Sequence, residues 1–160
     1  MANICLVSCV RGKLAGPVPA KELYTSPLFR KARRFAETKF DRWFILSAKH
    51  GLLEPDQVTE PYEKTLSQMS VADRQDWAQS VFRNILTRTR PDDCITLVAG
   101  NRYREYLVPL LRNKGYSVRV PLEGLGIGVQ LSRLTQLNSS DHRENACGPL
   151  SKGLKRHLPN

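Results

Sequence analysis

The chain has 160 residues, of which 41% are hydrophobic and 25% charged, and its formal net charge is +10 at pH 7. That length suits one domain with a real core, and no apolar run is long enough to span a bilayer, which sets membrane-spanning classes aside. The cation excess points to a polyanionic partner, nucleic acid first, with simple solubility as the plain alternative.

The opening segment MANICLVSCV has no basic leader region and no small-residue cleavage site, so it reads as a strand and not as a signal peptide. Its run Asn3 to Cys9 is continuously apolar, as a parallel strand covered on both faces requires. A loop with Gly12, Gly16, Pro17 and Pro19 follows. TSPLFRKARRFAETKF then predicts a helix, capped by Thr25 or Ser26 with Pro27 at its first position. Leu28, Ala32, Phe35 and Ala36 form its apolar face, and Arg30, Lys31, Arg33 and Arg34 the rest.

WFILSA (Trp43 to Ala48) is the second strand, followed by a charged, proline-rich loop to Leu66. Ser70 caps a helix that runs to about Thr89, with Trp77, Val81, Ile85 and Leu86 inward. CITLVAG (Cys94 to Gly100) is the third strand. Asn101 is expected to cap a helix that Pro109 kinks or shortens and Gly115 ends. YSVRVP gives a fourth strand near an edge, because Pro121 closes it. LEGLGIGVQLSRLTQL reads as a glycine loop and a last helix. Residues 139–160 read as a mobile basic tail.

The expected fold class is α/β: a small three-layer domain over residues 1–138 with a mostly parallel sheet of about four strands. Cys5, Cys9, Cys94 and Cys147 form no C-x-x-C pair, so neither a disulfide framework nor a zinc site is expected, and the compartment reads as reducing cytoplasm. No cofactor and no metal are expected.

In such sheets ligands sit beyond the carboxyl ends of the strands, which selects the loops after Cys9, Ser47, Gly100 and Leu122. After the first strand, Ser8, Cys9, Arg11 and Lys13 can hold a phosphate, although no Walker A pattern is present. Cys9 has no His or Asp nearby in sequence, which favours a structural thiol over a nucleophile. Tyr24 can stack on a base, and Ser26 with Arg30 can meet an anion at a helix start. The loop from Ser47 to Leu66 is the richest in chemistry. Lys49 and His50 can donate protons or hold anions, Gly51 is a hinge, and Tyr62 can wall a pocket. Glu54, Asp56 and Glu60 can steady a sugar cation or activate water. Lys49 is also a candidate amine nucleophile. Asn101, Arg102 and Tyr103 can touch a ligand or simply begin a helix.

The segments LVSC, LYTSPLFRKAR, WFILSAKHGLLEPDQVTEPYEKTL, VAGNRYREYLVPLL and PLEGLGIGVQLSRL together resemble the uncharacterised DUF6884 family over residues 3–137. The Gly51-Leu52-Leu53-x-Pro55 stretch and the Pro61-Tyr62 pair are more distantly similar to the YaaA family of DNA-binding proteins. LVSC is similar to a strand end of archaeosine-synthase-type domains. The shared implication of these resemblances is nucleic acid, with a base held at the strand ends by Ser8, Cys9, Ser47, Lys49, His50, Gly51, Pro61 and Tyr62. Three functions stand open: a DNA base N-glycosidase or base-modification enzyme, a DNA- or RNA-binding module without chemistry, and a nucleotide or nucleoside deoxyribosyl transferase-like enzyme. DNA is placed ahead of RNA as partner.

Overall fold

The computed structural model describes residues 1–9 and 15–140. The expected C-terminal tail lies outside the described residues, apart from its first two positions. So do Arg11 and Lys13.

Continuous apolar runs form the centre, as expected for strands buried on both faces. Strand β1 (Asn3–Ser8) lies between β3 (Arg42–Ser47) and β6 (Cys94–Val98), parallel to both. Strand β7 (Ser117–Arg119) pairs parallel with β6 alone and closes one edge. Strand β4 (Gly51–Leu53) forms the other edge, antiparallel to β3. The sheet order is therefore β4-β3-β1-β6-β7, with five strands where about four were expected. The additional strand is β4, whose three residues are too few to show an alternation. A separate two-stranded ribbon joins β2 (Val18–Pro19) to β5 (Val58–Thr59) and ties the loop after β1 to the loop after β4.

Alternation along the strands sends residues to two cores. Ile4, Leu6, Leu46 and Leu97 face helices α3 (Val71–Arg88) and α5 (Leu107–Lys114), where Trp77, Val81, Ile85 and Leu111 meet them. Cys5, Val7 and Ile45 face α2 (Pro27–Lys39) and α6 (Ile127–Ser139), through Phe29, Ala32, Phe35 and Leu134. A short helix, α1 (Ala20–Leu23), buries Ala20 and Leu23 beside this second core.

Local signals explain most boundaries. Helix α2 starts at Pro27, and the Phe29 N–H donates to the hydroxyl of Ser26, its N-cap, at 3.1 Å. Helix α3 is capped by Ser70 in the same way, through the Asp73 N–H at 3.1 Å. Gly115 ends α5 in the left-handed region at φ 111°, where a Cβ would be strained. The helix expected from Asn101 is instead two. A four-residue α4 (Asn101–Arg104) stops, and α5 restarts at Leu107 with Pro109 in its first turn, where a missing N–H costs nothing. The N-cap of α4 is Gly100, and Asn101, expected as a cap, is its first helical residue. Among the described residues Cys5 and Cys9 form no disulfide, whereas Cys94 is disulfide-bonded, which departs from the expectation of no disulfide framework. Among the described residues no helix is long and apolar enough to cross a membrane.

Candidate functional site

Strands β1 and β6 are neighbours, yet their chains leave in opposite directions. After β1 the chain goes to α2 on one face, and after β6 to α4 and α5 on the other. Diverging connections leave a crevice beyond the carboxyl ends of the two strands. A slot of about 220 Å³ lies there. Val7, Ser8 and Cys9 form one end, Val98, Ala99 and Gly100 another, and Phe29, Tyr103, Ile127 and Gln130 stand among its walls.

Cys9 is 7% exposed and is the meeting point of a buried polar network. The Tyr62 hydroxyl donates to Cys9 Sγ at 3.4 Å, and the Tyr103 hydroxyl lies 3.1 Å from the same sulfur. Tyr62 oxygen accepts from Ser47 Oγ at 2.7 Å and lies 2.7 Å from the Tyr24 hydroxyl. With its one proton directed to Cys9, Tyr62 must accept from Tyr24. Ser47 is fixed from behind, because its Oγ accepts from the His50 N–H at 3.0 Å and its carbonyl from Trp77 Nε1 at 2.9 Å. Trp77 also packs edge-on against Tyr103, with ring centroids 5.5 Å apart.

Burial first, and negative charge at Cys9 second, push the hydroxyls of Tyr24, Tyr62 and Tyr103 well above the ordinary tyrosine range. All three stay protonated at neutral pH and act as donors. Two hydroxyls, of Tyr62 and Tyr103, are thus held in place against the sulfur by the fold.

The expected site residues divide sharply. Ser8, Cys9 and Tyr103 line the slot, while Tyr24, Ser47 and Tyr62 support Cys9. Gly51 adopts φ 72° where β4 turns back on β3, so it is the hinge its position implied. Ser26 is occupied as the α2 cap, and Arg30 is exposed on the outer side of α2. Asn101 lies beyond the slot mouth, on the far side of Gly100.

The five residues expected to run chemistry are not gathered. Lys49 and His50 sit on the exposed turn between β3 and β4, and only the His50 ring approaches the network, edge-on to Tyr62 at 5.3 Å. Partial burial, then the charge of Lys49, hold the His50 imidazole below its ordinary pKa. Glu54 lies 3.9 Å from Arg88, Asp56 pairs with Lys21 at 2.6 Å, and Glu60 is exposed. None of these three carboxylates lines the slot. A triple variant, Glu54→Gln, Asp56→Asn and Glu60→Gln, is expected to lose no more than about 1 kcal/mol in denaturant unfolding, as exposed pairs do.

Sequence reasoning passed over Gly100 and Gln130. Gly100 carried a weak signal, a glycine directly after a buried strand run; Gln130 carried none.

Residues 4–136 match DUF6884, described as a family of unknown function. This chain belongs to the DUF6884 family. It is 31% identical over 156 residues to the uncharacterized protein YfjM of Bacillus subtilis (strain 168), across 89% of this chain and 99% of that protein. No solved structure matches. The DUF6884 match takes in β1 from Ile4 onward, all of β6 and all of the slot residues named above.

Proposed function

We propose that this chain acts on a base of a nucleic acid, taking one base into the slot beside Cys9. The observation that carries this reading is the slot itself, apolar and aromatic in its walls, with a few polar groups converging at the strand ends. With a volume of about 220 Å³, it has room for a flat ring system. The outer side of α2, whose inner side supplies Phe29 to the slot, exposes Arg30 and Arg34, and the whole chain carries +10. Phosphates held by those cations would accompany a base turned inward, as in base-extruding proteins.

The chemistry is assigned to Cys9 in preference to a loop carboxylate, because Glu54, Asp56 and Glu60 stand outside the slot. Base modification is therefore favoured over an N-glycosidase run by those carboxylates.

The test is incubation with single-stranded and duplex oligonucleotides, plain and base-modified, followed by mass analysis of the digested nucleosides and of free base. A changed or released base that Cys9→Ala no longer produces supports the reading. Salt-sensitive binding without any mass change would instead make the chain a binding module. Salt-insensitive binding with no product would sink both.

A further inference from the structure

A second depression, of about 370 Å³, opens from the slot across Gly100 and Tyr103, which line both cavities. Its character is different. The 3-10 turn Leu66–Gln68 and the start of α4 bring together Thr65, Ser67, Asn101 and Arg102. Thr65 Oγ1 and Ser67 Oγ lie 3.1 Å apart, so one hydroxyl proton is used between them and the other remains for a ligand. The Asn101 side chain is exposed.

The charge at this shelf is set by three residues. Arg74 is 7% exposed and binds Glu105 Oε1 at 2.8 Å and the Met69 carbonyl at 2.5 Å. Arg102 lies 3.6 Å from the other oxygen of the same carboxylate, with its side chain 52% exposed. Two guanidiniums thus share one carboxylate, and the buried one is the closer partner. A net positive charge is left at Arg102, the member that faces solvent on the shelf.

We propose that this shelf is a phosphate subsite, holding the sugar-phosphate attached to the base in the slot. The proposal rests on the base-binding reading above and narrows its substrate to a nucleotide unit that carries phosphate. The slot is walled mainly by apolar groups, which do not suit a phosphate. The shelf begins where the slot ends and offers a planar cation, an amide and a free hydroxyl, the groups that bind phosphate oxygens.

Calorimetric titration with the four deoxynucleoside monophosphates and the four matched deoxynucleosides tests it. The best-bound monophosphate should bind about tenfold or more tighter than its nucleoside, the usual worth of a charged hydrogen bond. Arg102→Gln should bring that ratio close to one while nucleoside affinity stays the same, and Arg102→Lys should restore part of it. Ser67→Ala should lower the ratio by a smaller factor. Inorganic phosphate should compete with the monophosphate and not with the nucleoside. Equal affinity of nucleoside and monophosphate in the unmodified chain would overturn the subsite and leave the base slot standing. A ratio that survives Arg102→Gln would overturn it too. If neither class of ligand binds, the base reading itself falls and the subsite falls with it.

Discussion

Gly100→Leu is expected to weaken ligand binding at least a hundredfold, about 2.7 kcal/mol, while the folded state keeps its stability. The reason is where Gly100 stands. It belongs to both cavities, and a Cβ built on it meets nothing within 4 Å. Its backbone is extended, at φ −67° and ψ 165°, so any residue fits there without strain. A leucine side chain gains roughly 1.5–3 kcal/mol by burial against apolar walls, which favours the rotamers that fill the slot. Leucine is a poor helix cap, but replacing glycine at a compatible position recovers about 0.4–1 kcal/mol from the unfolded chain, and the burial gain adds to it, so the variant should be no less stable than the unmodified chain. Gly100→Ser is the control. It is a good cap and too small to fill the slot, so binding should fall less than about threefold, ~0.6 kcal/mol. Titration of the same nucleotide against both variants, with thermal melts alongside, reads the outcome. Undiminished binding to Gly100→Leu would place the ligand elsewhere on the molecule.

The β1, β3 and β6 runs were legible in the sequence because strands buried on both faces must be mostly apolar, and NICLVS, WFILS and CITLV are. Ser26-Pro27 and Gly115 marked helix ends through their own backbone chemistry. The edge strand β4 and the break between α4 and α5 were not legible, since both are settled by pairing and packing over three or four residues. The site was half legible. The members of the network around Cys9 were all named and Gln130 was not, yet the loop after Ser47 drew attention because it holds charge, and charge gathers where a chain is solvated. Lys49, Glu54, Asp56 and Glu60 are charged and exposed for one and the same reason. The groups that converge are uncharged and buried, and Cys9 and Tyr103 meet across 94 positions of sequence. No periodicity reports that β6 returns to the opposite side of β1 from β3, and that choice alone creates the crevice.

Tyr62→Phe is expected to be the most destabilising single-atom change in the network. Its hydroxyl is the hub: it accepts from Ser47 and Tyr24 and donates to Cys9, at 2.7, 2.7 and 3.4 Å. Three buried hydrogen bonds at ~1 kcal/mol each give about 3 kcal/mol. For a chain of this size that corresponds to a fall of roughly 6–12 °C in Tm. Tyr103→Phe removes a single contact to the sulfur, at 3.1 Å, and should cost about 1 kcal/mol or less. The same hydroxyls fix the sign of an alkaline dependence. In the folded chain Tyr24, Tyr62 and Tyr103 ionise at higher pH than free tyrosine, because burial and the charge at Cys9 oppose the phenolate. Their stabilising contribution is therefore complete below the ordinary tyrosine pKa of about 10 and is lost as the pH rises beyond it. Tyr62→Phe deletes one of these groups. Urea unfolding near pH 8 and again near pH 10.5 should show the unmodified chain losing more stability over that interval than the variant. An equal loss in both would mean that the Tyr62 hydroxyl is not held protonated by the fold, and that the donors around Cys9 are not preorganised.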